Sequence, residues 1–345
     1  MRYRPLGDSD LKVSEICLGT MTFGEQNSER EAHQQLDCAL AHGVNFIDAA
    51  EMYPVQGRPE TQGRTEAIVG SWLKRQARDK VIVATKVTGP ARGFDWIRGG
   101  PLHLDRANIE QALNGSLERL QTDYVDLYQI HWPDRNVPMF GQTAYDPARE
   151  RPTVPIEEQL AVLADLVRAG KIRYVGVSNE TPWGLGRFLR AAETLGLPRV
   201  VSLQSAYNLI NRVFELGLAE MCHRENVSLL VYSPLGFGLL TGKYLDAAPE
   251  QARLSMFPAF GGRYRKPNVE QAVAAYCALA RSRNLSPAAM ALAFVRSRWF
   301  VAGTIIGATS LAQLEENLGS VELELSEEVL REIDAIHARF PSPAP

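Results

Sequence analysis

Short apolar runs alternate with longer amphipathic stretches along nearly the whole chain. The runs Ser14–Leu18, Phe46–Ile47, Val81–Thr85, Val125–Ile130, Ile172–Val177, Val200–Leu203, Leu229–Tyr232 and Gly303–Ile306 are apolar along most of their length. Strands covered on both faces read that way. Between them, Asp105–Leu120 places Ile109, Ala112, Leu113, Leu117 and Leu120 on one helical stripe. Further helices are predicted over Ser28–Ala41, Thr65–Arg75, Glu157–Ala169, Phe214–Arg224, Val269–Arg281 and Ser326–His337. Others open at Thr181–Pro182 and Ser286–Pro287. The boundaries carry chemistry. Ser28 and Glu31 form a capping box, Pro182 fits the first helical position, and Gly170 stops the preceding helix.

Eight strand–helix alternations in about 300 residues predict an α/β fold, a (β/α)8 TIM barrel formed as one domain over residues 1–345. The rival, a doubly wound open sheet, advertises a Gly-rich turn after its first strand. Here that turn is Gly19-Thr20-Met21-Thr22-Phe23-Gly24, which lacks the pattern. Arg2–Val13 reads as an N-terminal hairpin turning at Gly7–Asp8, and Ser326–His337 as a closing C-terminal helix. Two long loops follow strands four and seven, Pro133–Pro155 and Gly236–Pro267. Both leave the C-terminal ends of strands, where barrels build their sites.

Composition narrows the possibilities without choosing a function. The chain has 345 residues, is 45% hydrophobic and 22% charged, and carries a net charge of -3. A core of useful size fits this length. Nothing global favours nucleic acid or an anionic membrane. Four scattered cysteines read as free thiols of a reducing compartment. No apolar stretch approaches the roughly 20 residues that span a bilayer, and Met1–Gly7 has no signal-peptide core. The expected location is the cytoplasm. The six histidines lack clustered ligand spacing. A metal-dependent barrel hydrolase is therefore set aside, and no metal site is expected.

Asp48, Lys86 and His131 sit at the ends of the second, third and fourth strands, with Tyr53 just beyond Asp48. Each alone has an ordinary reading: a turn aspartate, a solvated lysine, a packing tyrosine, a core histidine. Their joint placement at consecutive strand ends is what the ordinary readings leave unexplained. Reducing a carbonyl sends hydride to carbon and leaves charge on oxygen that a general acid must neutralise. A tyrosine starts near pKa 10. A neighbouring ammonium, Lys86, would lower that value, and Asp48 would keep the ammonium charged. His131 would orient the substrate oxygen or help pass the proton.

Gly43-Val44-Asn45-Phe46-Ile47-Asp48-Ala49-Ala50-Glu51-Met52-Tyr53 resembles the aldo-keto reductase signature. Ala84–Val87 and Gln129–Pro133 are similar to its lysine and histidine segments, and Gly170–Asn179 to another. The Ala-Glu-Met-Tyr-Pro form looks most like the Tas-like bacterial branch, related to potassium-channel β subunits. The resemblance implies NADPH as cofactor (NADP when oxidised). It also implies the roles of Tyr53 as acid, Lys86 and Asp48 as its tuners and His131 as orienting partner. It carries over Ser178, Asn179 and Gln204 to the nicotinamide carboxamide and Tyr232 to its ring. Ser233, Pro234, Leu235 and Gly236 would follow the pyrophosphate. Thr20 and Met21 are further expected cofactor contacts, and Met21 would border the substrate pocket.

One part of the cofactor site has independent physical support. Ile305–Gln313 reads strand, Gly turn, helix, and free N–H groups at a helix start bind phosphate. Gly307 and Thr309 could therefore cradle a 2′-phosphate. Gln313 would meet adenine, or cap its helix with Ser310, or both. Glu316 and Asn317 would complete the adenosine end, and Lys243 and Arg253 would supply cations. The insertion carrying both could fold over the cofactor as a lid. Phe23, Trp132, Tyr207 and the loop Pro133–Pro155 are expected to shape a substrate pocket with Tyr53 and His131. The expected partner is a small-molecule carbonyl compound, and exposed helix faces permit a homo-oligomer. Two departures stand out: Met21 replaces a tryptophan common near the channel subunits, and Asp48-Ala49-Ala50 replaces Asp-Thr-Ala. The competing function is an NADPH-binding, redox-sensing regulatory subunit with little turnover.

Overall fold

The computed structural model of the chain describes residues 1–247, 249–258 and 261–345. Three positions of the predicted 236–267 loop, Ala248, Ala259 and Phe260, lie outside the described residues. Strands β1 (Tyr3–Pro5) and β2 (Lys12–Ser14) pair antiparallel as the expected hairpin. Eight parallel strands follow: β3 (Ile16–Gly19), β4 (Phe46–Asp48), β5 (Ile82–Val87), β6 (Val125–Ile130), β7 (Ile172–Ser178), β8 (Val200–Ala206), β9 (Ser228–Tyr232) and β10 (Val301–Ile306). They close in sequence order, with β10 paired to β3, and helices lie between them. The fold is the (β/α)8 barrel with its N-terminal hairpin. Strands β5, β6 and β10 are buried at every position, as predicted for strands covered on both faces.

Two apolar layers follow from that alternation. One packs the outer faces of the strands against the helices, with Ile16, Leu18, Val83, Tyr128, Val175 and Leu203 meeting Leu36, Trp72, Leu113, Leu163 and Phe188. The other fills the barrel: Cys17, Phe46, Ile82, Ala84, Leu127, Leu230 and Ala302, plugged by Leu6, Leu11 and Val13 of the hairpin. The plug needs a glycine at its turn. Gly7 has φ +53°, and a Cβ there would lie 2.3 Å from the Val201 carbonyl oxygen.

Helix boundaries follow the sequence signals closely. Ser28 and Glu31 cap Glu29–Ala41 reciprocally. Thr181 caps Pro182–Leu195, and Ser310 caps Leu311–Gly319. The predicted helix 214–224 splits instead, with a 3-10 turn at Val213–Leu216 and an α-helix from Leu218 to Arg224. The two loops differ in kind. Residues 133–155 hold only the 3-10 turn Pro147–Arg149. Residues 236–267 hold short helices at Lys243–Asp246 and Arg253–Met256 between 3-10 turns. Among the described residues, no helix is long and apolar enough to cross a membrane.

Candidate active site

The strand ends bring an acid and an amine into contact. Asp48 ends β4, and Lys86 is the penultimate residue of β5. The Lys86 Nζ donates to Asp48 Oδ2 at 2.6 Å and to the Ala49 carbonyl at 2.8 Å. Lys86 is fully buried and Asp48 is 2% exposed. Two charges removed from water persist only when paired and hydrogen-bonded. The remaining carboxylate oxygen is satisfied too: Asp48 Oδ1 accepts from Gln204 Nε2 at 2.9 Å and from Gln129 Nε2 at 3.3 Å.

Tyr53 reaches this pair because its loop is laced to β5. Ala49 N–H donates to the Ala84 carbonyl at 2.8 Å, and Glu51 N–H donates to that of Lys86 at 3.2 Å. The Glu51 carboxylate pairs with Arg98 and accepts from Thr88 N–H at 3.0 Å. The Lys86 Nζ stands 5.0 Å from the Tyr53 ring centroid. His131, just past β6, meets the Tyr53 ring edge-on with centroids 5.7 Å apart. A half-buried phenol thus meets a buried ammonium, carboxylate and imidazole at one spot.

Burial dominates the titration of these groups. It raises the Tyr53 phenol above its ordinary value, although the Lys86 charge opposes it. The expected lowering by lysine is present as a contribution and is outweighed. For Lys86, burial pulls downward, but Asp48 and Tyr53 together hold the ammonium above its usual range. Burial, with Lys86 and Arg92, pushes His131 well below its ordinary value. At neutral pH the set is a protonated phenol, an ammonium and a neutral imidazole. Among the described residues, His131 Nδ1 is buried with no hydrogen-bond partner.

Next to His131 a polar chain crosses the ends of β7, β8 and β9. Asn179, in the left-handed region at φ 56°, donates to the His131 carbonyl at 2.9 Å and to Ser178 Oγ at 3.0 Å. Its Oδ1 accepts from the Tyr232 hydroxyl at 2.7 Å. Gln204 lies in register with Ser178, and its amide nitrogen already serves Asp48. Thr20 donates to the Asp48 carbonyl at 2.8 Å, and the Met21 carbonyl accepts from Val55 N–H at 2.9 Å. Beyond Tyr232, Ser233, Pro234, Leu235 and Gly236 lead into the long loop. Lys243 and Arg253 lie close enough there for their charges to repel. Arg253 also feels Tyr53, so the helix Arg253–Met256 lies near the phenol. Gln26 touches Met256 at 3.5 Å from the opposite side.

The turn after β10 is open at Gly307, where a Cβ would meet nothing. Thr309 N–H donates to Gln313 Oε1 at 3.1 Å, while Ser310 Oγ accepts from Gln313 N–H at 3.3 Å. Gln313 therefore caps its helix through Thr309 rather than through the Ser310 backbone. Glu316 accepts from Ser286 at 2.7 Å, and Asn317 is buried.

A match to the model of the Aldo/keto reductase family runs over residues 15–338. Protein tas of Escherichia coli (strain K12) is 54% identical, with all of both chains covered. An aldo-keto reductase of Babesia bovis is 40% identical over 76% of this chain and 98% of its own. The uncharacterized oxidoreductase YrpG of Bacillus subtilis (strain 168) is 32% identical over 99% and 97%. The chain belongs to the aldo/keto reductase family. It is an oxidoreductase by that membership, and the family generally uses NAD(P)H.

Two expected pocket residues lie elsewhere in this aldo/keto reductase. Phe23 is fully buried in the layer between strands and helices, its carbonyl bound by Thr65. Tyr207 is fully buried as well. It stacks on Phe294 and meets Phe300 edge-on, with its hydroxyl on Glu215. An aromatic ring just past a strand can turn inward or outward, and only packing decides. Trp132 does border the site, 4.9 Å from the His131 ring, with Phe94 and Phe140 around it. Gln129 went unnoticed in the sequence. Its signal was available: it precedes His131 by two positions, so it shares His131's side of β6.

Proposed function

We propose that this protein is an NADPH-dependent carbonyl reductase that converts aldehydes or ketones to alcohols, with Tyr53 as the general acid. The contact of the buried Lys86–Asp48 pair with the Tyr53 ring carries the reading. A fixed ammonium beside a phenol is what donation of that proton requires, because the phenolate left behind must be stabilised. His131, neutral and with a free Nδ1, suits a hydrogen bond to an oxygen or hydroxyl beside Tyr53. Asp48 acts one step back, holding Lys86 charged and aimed.

The residues present fit a dinucleotide carrying phosphates. Ser178, Asn179 and Gln204 offer amide and hydroxyl groups suited to a carboxamide, and Tyr232 a ring suited to stacking. Lys243, Arg253 and the helix start at Leu311 offer positive ends suited to phosphate. The bound cofactor would supply hydride. Gln204 would divide its amide between Asp48 and the carboxamide, tying cofactor seating to the tetrad. The lid would exclude water from Tyr53.

The test is loss of NADPH absorbance by purified protein offered 4-nitrobenzaldehyde and a panel of ketones. Steady, enzyme-dependent oxidation is expected. Tight NADPH binding with no turnover across the panel would favour the redox-sensing reading instead. Running the panel with NADH fixes the cofactor preference.

A further inference from the structure

We propose, resting on the reductase reading, that the substrate carries an anionic group, held by Arg92 and Arg263 at the mouth of the aromatic pocket. The two arginines come from separate loops and converge on one ring. Arg92 Cζ lies 4.1 Å from the Phe140 centroid, and Arg263 Cζ lies 5.7 Å from it. Arg92 is also 5.6 Å from the Trp132 ring, whose neighbour is His131. Arg263 is 6.0 Å from the Tyr232 ring. The pair therefore stands over the wall beside the tetrad, one aromatic ring beyond His131.

What surrounds the pair is as informative as its position. Tyr232 bears on both arginines, Tyr264 on Arg263 alone, and the Arg263 charge repels Arg92. Arg92 is exposed and Arg263 is 8% exposed, and among the described residues neither is in a salt bridge, whereas the enclosed arginines Arg98, Arg135 and Arg296 pair with Glu51, Glu180 and Glu15. Lys266 adds a third cation, bound to the Gly141 carbonyl at 2.6 Å and repelled by Arg263. Like charges gathered at an aromatic, half-dry mouth repel one another until an anion sits between them. Planar guanidinium groups favour carboxylate or phosphate oxygens. Arg92 belongs to the loop after β5, on the Trp132 side. Arg263 shares the 236–267 loop with Lys243 and Arg253 but meets Arg92 over the Phe140 ring. An anion between Arg92 and Arg263 lies at the aromatic wall, and we assign it to the substrate.

The test compares 4-formylbenzoate with its neutral methyl ester, in NADPH-saturated protein and in Arg92→Gln and Arg263→Gln. Wild type is expected to favour the acid in kcat/KM by about tenfold or more, as charge-assisted hydrogen bonds give. Each variant is expected to bring the ratio close to one, through KM. NADPH affinity is read alongside. Equal use of acid and ester by wild type would overturn the proposal. So would variants that keep the ratio but lose NADPH affinity, since both arginines would then serve the cofactor's phosphates. If neither probe turns over, the reductase reading itself fails. Calorimetry with 4-(hydroxymethyl)benzoate on NADP-saturated protein then decides: binding weakened about tenfold by either variant supports the anion site, and no binding overturns it.

Discussion

The two ends of the barrel are made from the same strands and serve opposite ends. The N-terminal end is closed by Leu6, Leu11 and Val13 of the hairpin over an apolar interior. The C-terminal end buries Asp48, Lys86, Gln129 and Gln204 as fully as those leucines. Apolar filling needs only shape, so the plug depends on one glycine turn and close packing. Buried charge needs partners, so every carboxylate oxygen of Asp48 has a donor. Inside the barrel the apolar plug fills one end and the Lys86–Asp48 charge pair the other, so the two ends respond to substitution through different physics.

Substitutions at each end break that contrast in different ways. Lys86→Met is expected to have the largest effect, because it strands Asp48. Reduction falls by about 10²–10⁴-fold, and stability drops by roughly 3–5 kcal/mol. Steady-state kinetics with denaturant unfolding reads both. Gly7→Ala strikes the plug: at φ +53° and with a Cβ against Val201, it destabilises by about 1–3 kcal/mol. The kcat of protein that remains folded stays near wild type, and a loss of kcat equal to that of Lys86→Met would erase the distinction between the ends.

The pH profile sharpens the comparison at the C-terminal end alone. The phenol titrates above its ordinary 10.0 and must be protonated to donate. The kcat/KM for reduction is therefore expected to stay level through neutrality and fall only above about pH 10. His131 sits well below 6.5 and stays neutral, so no inflection near 6.5 is expected. A bell centred near neutrality would mean that Lys86 outweighs burial at the phenol. The smallest effect is expected for Gln129→Leu, which removes one of two amide donors from Asp48 Oδ1. A loss of about 1–2 kcal/mol in stability, with kcat reduced only a few-fold, separates it from Lys86→Met.

Much of this was legible along the chain. Strand ends are marked by where apolar runs stop, so Asp48, Lys86 and His131 align from the sequence alone. Proline and capping residues located Pro182–Leu195 and Leu311–Gly319 for the same local reason. Phe23 and Tyr207 misled because a ring after a strand is as good a core residue as a pocket wall. The direction of the Tyr53 shift was not legible either. Neighbouring charge can be read from sequence, whereas the extent of burial that outweighs it cannot. Arg92 and Arg263 were invisible because they come from loops whose convergence only the fold determines.

The most direct test is Tyr53→Phe, measured for carbonyl reduction and for NADPH affinity in the same preparation. Removing only the hydroxyl is expected to lower kcat by about 10²–10⁴-fold while the Kd for NADPH stays within about twofold, a shift well under 1 kcal/mol. Turnover near wild type would contradict the assignment of the proton to this ring.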